Sequence, residues 1–167
     1  TLVIGGPTAT GKSRLALDLA KRTDAVIVSA DAMTIYRELD VGTAKPTVAQ
    51  REGVPHFCID IRDYDEPFTV GDFVFQTRQI IERYPNVIIA GGTPYYLNAL
   101  FRPLAPLPES KPEVRQRLET LEFPYHHLQQ IDPVSANRLH PNDKVRVIRA
   151  LEVYEITGRP LSEVQND

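Results

Sequence analysis

Gly6-Pro7-Thr8-Ala9-Thr10-Gly11-Lys12-Ser13 carries two glycines, a lysine and a hydroxyl residue at a spacing that suits the binding of a polyphosphate. The glycines let backbone N–H groups turn inward, Lys12 brings a mobile ammonium, and Ser13 can ligate magnesium through its hydroxyl. Leu2, Val3 and Ile4 precede the run as a strand, and Leu15, Ala16, Leu17, Leu19 and Ala20 follow at helical spacing, so the loop opens on a helix N-terminus that favours an anion. Two more sets follow apolar runs. Asp31 comes after Ala25-Val26-Ile27-Val28 and should stand beside the loop as a functional carboxylate or cap the next turn. Gly91-Gly92-Thr93-Pro94 comes after Val87-Ile88-Ile89-Ala90; its glycines permit close backbone approach, and Thr93 can cap a helix opening at Pro94 or touch a substrate. Ligands of open parallel sheets sit beyond the carboxyl ends of the strands, which places all three sets at one edge.

The elements that must hold these residues alternate. Strands are predicted over 2–5, 25–28, 57–61 and 87–90, with helices over 12–22 and 70–81, where Val70, Phe73, Val74, Thr77, Ile80 and Ile81 repeat at helical spacing. Continuous apolar strands between helices imply an α/β fold, a parallel sheet covered on both faces. From Pro103 the texture changes, with Pro106, Pro108 and Pro112 close behind, which reads as a linker. Helices are predicted near 112–122, 133–139 and 143–157, the last capped by Asn142 or Asp143 and stopped at Gly158.

With 167 residues, 42% of them hydrophobic, the chain can bury one sizeable core. The net charge of −3 offers no global attraction for nucleic acid, so any such contact must be local. Arg138, Lys144, Arg146, Arg149 and Arg159 gather late in the chain, where Glu152 and Glu155 dilute them. The single cysteine, Cys58, lies between Phe57 and Ile59 and reads as a small buried side chain, and no stretch approaches a membrane span, so a reducing, cytoplasmic setting is expected. The four histidines lack metal-ligand spacing, which points to structural or surface roles. Because Thr1 opens almost inside a strand, the chain reads as part of a longer gene product. Val87–Ala90 ends without the acidic residue that a routine ATPase uses at its metal, so magnesium would rest on Ser13 and the ligand's own phosphates.

Taken in order, Gly6–Ser13, the stretch from Ser29 to Pro46 with its Asp40-Val41-Gly42-Thr43-Ala44-Lys45-Pro46 block, Val54-Pro55-His56 with Ile59-Asp60, Gly91-Gly92-Thr93, and His140-Pro141-Asn142-Asp143 running into Arg149–Tyr154 resemble the tRNA dimethylallyltransferases, or tRNA isopentenyltransferases. The resemblance implies a P-loop NTPase-like parallel sheet flanked by helices with a small helical insertion lobe: a core of 1–108 and 141–167, and a tRNA-clamping insertion over 109–140. It implies transfer of the prenyl group of dimethylallyl diphosphate to N6 of adenosine 37, in tRNAs reading codons that start with U. The diphosphate would lie on Gly6, Pro7, Thr8, Ala9, Thr10, Gly11, Lys12 and Ser13, with Mg2+ on Ser13. Catalysis would fall to Asp31 as general base with Lys12 and Thr93, and tRNA would lie along Asp31, Ala32, Met33, Thr34, Thr93, Val145, Arg146, Val147, Ile148 and Arg149. Partners are then the tRNA anticodon stem-loop and dimethylallyl diphosphate, with no membrane and a monomeric state expected.

The family usually has serine at the position of Ala32, often glutamine at that of Thr34, and favours Gly-Leu where Pro94-Tyr95 stand. It also continues beyond Asp167 with helices and a basic segment that contribute to both substrate sites. The residues themselves leave three other readings open: a P-loop small-molecule kinase, an adenylate isopentenyltransferase acting on free nucleotide, and a non-enzymatic nucleotide-binding RNA clamp.

Overall fold

Short apolar runs become four parallel strands among the described residues: β1 (Leu2–Gly5), β2 (Val26–Ser29), β3 (His56–Phe57) and β4 (Val87–Gly91), in the order β1-β4-β2-β3. The structure, a computed structural model, describes residues 1–102 and 105–165. They form two compact units, divided between residues 104 and 105. The first residues of the linker expected from Pro103, Pro103 and Leu104, lie outside the described residues.

In the first unit the side-chain alternation of the strands separates two cores. Ile27 and Ile88 face α1 (Lys12–Thr23), which contributes Ala16, Leu17 and Ala20. Val26, Val28, Val87 and Ile89 face the opposite side, under α2 (Val70–Arg83) and α3 (Pro94–Phe101). There Phe73 and Tyr96 stack with ring centroids 4.5 Å apart. Helices on both faces explain why β2 and β4 are apolar without a break. Thr69 starts α2 with a capping box: its hydroxyl accepts from Asp72 N at 3.1 Å, and Asp72 Oδ2 accepts from Thr69 N at 2.8 Å.

The strand predicted over 57–61 is cut to His56–Phe57. Cys58 and Asp60 adopt left-handed φ values of 58° and 56°, which turn the chain out of the sheet. Instead Asp60 N donates to Thr34 O at 3.1 Å and Ile61 N to Ile35 O at 2.8 Å. Cys58 is buried as expected, and desolvation pushes its thiol up to about 12.

One buried hydroxyl in this unit, Thr77 Oγ1 on α2, has no hydrogen-bond partner among the described residues. Its desolvation is uncompensated, so Thr77→Val, which keeps the shape, is expected to raise unfolding stability by about 1 kcal/mol. Chemical denaturation of the two proteins checks this; an unchanged or lower midpoint would show that Thr77 has a partner in solution.

The second unit is helical: α4 (Pro112–Glu119), α5 (Pro124–Ile131), α6 (Pro133–Arg138), α7 (Lys144–Thr157) and α8 (Leu161–Val164). Its core joins Leu118, Leu128, Ala136, Val147, Ile148, Ala150 and Leu151. Of segment 141–167, expected with the α/β core, the described residues 141–165 pack here, because α7 turns four of these apolar residues onto α4 and α5. Asp143 caps α7 by accepting from Arg146 N at 3.2 Å, and Gly158 ends it in the left-handed conformation. Helix α5 was not predicted: Tyr125, His126 and His127 interrupt the apolar spacing that Leu128 and Ile131 continue. No described helix is long and apolar enough to cross a membrane.

Two buried carboxylates organise this unit. Asp132, 2% exposed, accepts four bonds: Oδ1 from Ser135 N at 3.0 Å and Ser162 Oγ at 2.6 Å, and Oδ2 from Ser135 Oγ at 2.6 Å and Ser162 N at 2.9 Å. Glu152, fully buried, accepts from Ser110 Oγ, Lys111 N and Arg149 Nη1 at 2.6, 2.8 and 2.6 Å. Burial alone would raise both pKa values, but the donors outweigh it and hold both below the usual carboxylate range.

Their stabilisation is therefore complete above the ordinary values of 3.8 and 4.5 and is lost as pH falls through the lower folded values. Thermal melts should hold a constant midpoint from neutral pH into this range and then drop. Asp132→Asn turns an NH2 toward a backbone N–H in either amide orientation, that of Ser135 or that of Ser162, and is expected to cost about 3 kcal/mol at neutral pH. A melt indistinguishable from the parent would show that the four bonds contribute nothing net.

Candidate functional site

The phosphate loop follows β1 and ends at Gly11, whose φ of 83° forms the N-terminal boundary of α1 with no side-chain cap. The first turn of α1 carries no acidic residue of its own and its N–H groups lack a side-chain cap, the arrangement that receives an anion. Ala9 also takes a left-handed φ of 64°, so the loop folds back on itself. Pro7 O gathers the loop: Thr10 Oγ1 donates to it at 2.8 Å, and Lys12 Nζ donates to it as well and lies 3.5 Å from Thr10 Oγ1. Lys12 is therefore held over the loop it serves, by a contact that a phosphate oxygen can replace.

A cleft of about 230 Å³ brings together Thr8, Ala9, Gly11, Lys12, Ser13 and Arg14 with Ser29, Asp31, Thr34, Thr43, Ala44, Gly91 and Gly92. The three sets singled out by sequence do meet at the carboxyl edge of the sheet. Asp31 sits just past β2 and Oδ1 accepts from Met33 N at 2.9 Å, an Asx turn that fixes the carboxylate. Oδ2 has no partner among the described residues and is left to act on a ligand. Ser29 Oγ and Thr34 Oγ1 pair at 2.9 Å behind it.

Thr93 begins α3 without capping it. Its Oγ1 accepts from Ala32 N at 3.1 Å and its own N–H donates to Ala30 O at 3.1 Å, so it ties the β4 loop to the β2 loop beside Asp31. The crossing is tight. A Cβ on Gly91 would stand 2.1 Å from Ala30 O.

The late residues divide by burial. Val145 and Arg146 are exposed, Arg146 pairing with Asp143 at 3.0 Å. Val147 and Ile148 are 0% and 4% exposed, and their side chains fill the core of the second unit. Arg149 Nη1 donates to Glu152 at 2.6 Å and Nη2 to Pro108 O at 2.6 Å, which commits the guanidinium to bracing residues 108–111 against α7.

A second cleft of about 330 Å³ shares Ser13, Arg14, Ser29, Ala44 and Ala90 with the first and adds Leu17, Ile27, Pro46 and Ile59 as an apolar wall. His56 lines it, half-buried, with Nδ1 2.8 Å from Val54 O; desolvation lowers its pKa. Among the described residues no group of three or more His, Cys, Asp or Glu is placed to hold a metal. A magnesium ion brought by phosphates, with one protein hydroxyl from Ser13, fits this donor set; a protein-caged metal does not.

Sequence reading missed one part of the site. Thr43 and Ala44 line the cleft from a loop fastened by Lys45, Asp60 and Arg51. The signal was the pair of oppositely charged residues in the otherwise apolar surroundings of Ile59-Asp60-Ile61 and Ala44-Lys45-Pro46.

The family model described as IPP transferase matches residues 34–167. The chain is 47% identical over 98% of its length to tRNA dimethylallyltransferase 1 of Trichlorobacter lovleyi, covering 57% of that protein. With the tRNA dimethylallyltransferase of Nostoc punctiforme it shares 46% identity over 99% of its length and 57% of the relative. Among solved structures, a eukaryotic dimethylallyltransferase acting on tRNA matches all of this chain and 44% of its own, with a TM-score of 0.81 and 31% identity. The tRNA isopentenylpyrophosphate transferase of Bacillus halodurans matches 95% of this chain and 56% of its own, at a TM-score of 0.57 and 37% identity. The chain spans a little over half the length of the curated relatives it matches.

Proposed function

We propose that this chain, which belongs to the IPP transferase family, carries the diphosphate- and adenine-facing half of a tRNA dimethylallyltransferase. The observation that carries the reading is the single cleft shared by the phosphate loop and Asp31. The diphosphate of dimethylallyl diphosphate lies on the Gly6–Ser13 loop, against the N–H groups of α1 and the Lys12 ammonium, which neutralise charge on the leaving group. Mg2+ would be held by Ser13 together with the diphosphate and would supply further charge neutralisation.

Adenine N6 of a tRNA anticodon stem-loop approaches from the Asp31 side. The N6 lone pair forms the bond to the allylic carbon, the carbon–oxygen bond breaks with its electron pair leaving on diphosphate, and Asp31 Oδ2 takes the N6 proton. The reacting base must leave its stack to reach this edge. Thr93 and the Asp31–Thr34 turn face that base, while Val145 and Arg146 meet the RNA from the second unit, where residues 109–140 serve as a clamp. Arg149 supports that surface through Glu152 and Pro108. A cytoplasmic monomer fits this role.

The test incubates the full-length protein with anticodon stem-loop RNA, magnesium and radiolabelled dimethylallyl diphosphate. Label in RNA, absent when the RNA lacks the adenosine, is the expected result. Label on free adenine nucleotide alone, or phosphorylation from ATP with no prenyl transfer, would overturn it.

A further inference from the structure

The segment from Asp31 to Pro46 supplies Asp31, Thr34, Thr43 and Ala44 to the cleft, yet it contains no helix or strand. Polar contacts hold its shape, and Lys45 is their centre. Beside a phosphate cleft, a lysine in Gly-Thr-Ala-Lys-Pro would be nominated as a second phosphate ligand. Its surroundings exclude that role. The side chain is 4% exposed, and its three N–H donors are spent on Tyr36 O at 2.7 Å, Asp40 Oδ1 at 2.8 Å and Asp60 Oδ1 at 2.7 Å.

These contacts have a mechanical meaning. The bond to Tyr36 O closes residues 36–45 into a ring. The bond to Asp60 fastens that ring to the left-handed turn after β3. Asp60 Oδ2 accepts from Arg51 Nη2 at 2.8 Å, and Arg51 Nε donates to Pro46 O at 3.1 Å, which secures the residue after Lys45. From the same turn, Asp60 N donates to Thr34 O, three residues after Asp31. Asp60 therefore grips the segment near both of its cleft-lining ends, by its side chain at Lys45 and by its backbone at Thr34. Neither Lys45 nor Asp60 lines the cleft.

We propose that Lys45 and Asp60 are positioning residues for the transfer step, setting where Asp31 and Thr43 stand against the phosphate loop without touching substrate. This rests on the prenyl-transfer reading above. Diphosphate binding, which depends on the Gly6–Ser13 loop, should be spared when the brace is cut, and the alignment of Asp31 with N6 should not.

The experiment is single-turnover transfer of radiolabelled dimethylallyl diphosphate to anticodon stem-loop RNA by the full-length protein, comparing the parent with Lys45→Met, Asp60→Asn and the double variant. Each single variant is expected to lower the first-order rate constant by about 10- to 100-fold, the scale of small misplacements of reacting groups. The reaction amplitude and the affinity for inorganic diphosphate, read by competition, should stay within about twofold. The double variant should be no slower than the slower single one, because both cut one brace.

A merely structural role would lower the amplitude and the melting midpoint while the molecules that remain folded react at the parent's rate. Rate constants within about threefold of the parent, or a loss of diphosphate affinity equal to the loss of rate, would overturn the proposal. Should Lys45→Met not fold, Asp60→Asn decides alone, since asparagine keeps an acceptor oxygen for Lys45. A parent that transfers no label would instead overturn the prenyl-transfer reading, and the positioning role with it.

Discussion

In the full-length protein, Asp31→Asn is expected to slow prenyl transfer to the anticodon stem-loop by about 10²- to 10⁴-fold, the contribution of a positioned general base. The substitution is chosen for what it keeps. Asparagine Oδ1 can still accept from Met33 N, the 2.9 Å bond that shapes the turn, so the loop and its contacts to Thr93 should survive. Only the charge and the proton-accepting oxygen are lost. Diphosphate affinity should stay near the parent's, because Asp31 is placed opposite the phosphate loop and not within it, and the melting midpoint should hardly move. A rate within tenfold of the parent would show that another group, or solvent, takes the N6 proton. A collapse of diphosphate affinity would mean that the carboxylate organises the phosphate side of the cleft.

Gly91→Ala should be the most damaging small substitution in the first unit. The added methyl would lie 2.1 Å from Ala30 O, 2.4 Å from Ala30 C and 2.7 Å from Ala30 Cα, all backbone atoms. Backbone cannot rotate away as a side chain does. Relief would require parting the ends of β2 and β4, where Ala30 N donates to Ala90 O at 2.9 Å and Thr93 N donates to Ala30 O at 3.1 Å. Overpacking with no flexible neighbour is expected to cost about 3 kcal/mol or more, a large part of the roughly 5–15 kcal/mol that holds a domain. Gly92→Ala is the matched control: its methyl would meet Gly6 O at 3.5 Å, an ordinary contact. Denaturation midpoints should separate the two adjacent variants clearly. Equal midpoints would remove backbone crowding as the reason for glycine at 91.

Much of the site was legible because its parts are local. The phosphate loop needs only a strand, two glycines and a helix start, all within the first dozen residues, and no distant residue is required to shape it. Asp31 was found for the same reason, since a polar residue just after a buried strand must emerge at the ligand edge. The α7 boundaries followed from Asp143 and Gly158, whose capping acts over three or four residues, and the start of α2 from the helical spacing that begins at Val70. Where the prediction failed, the competing interaction was remote. The apolar run 57–61 reads as a strand, but pairing of Asp60 and Ile61 with Thr34 and Ile35 draws it into a turn.

Sequence by itself determined the α/β layering, the phosphate loop, the acidic residue beside it and the family, because hydrophobic period and backbone freedom are written in neighbouring residues. Tertiary structure alone decided which side chains are available. Thr93 Oγ1 accepts from Ala32 N, 61 positions away in the chain, which leaves its O–H as the group free to meet a ligand. Arg149, from a basic stretch, is bound by Glu152 on the next turn and by Pro108, 41 positions before it. Lys45, from the Asp40–Pro46 block, is buried against Asp60. Charge and hydrogen-bonding capacity belong to a residue type, but whether they face a ligand or another part of the chain depends on which distant groups the fold brings within about 3 Å.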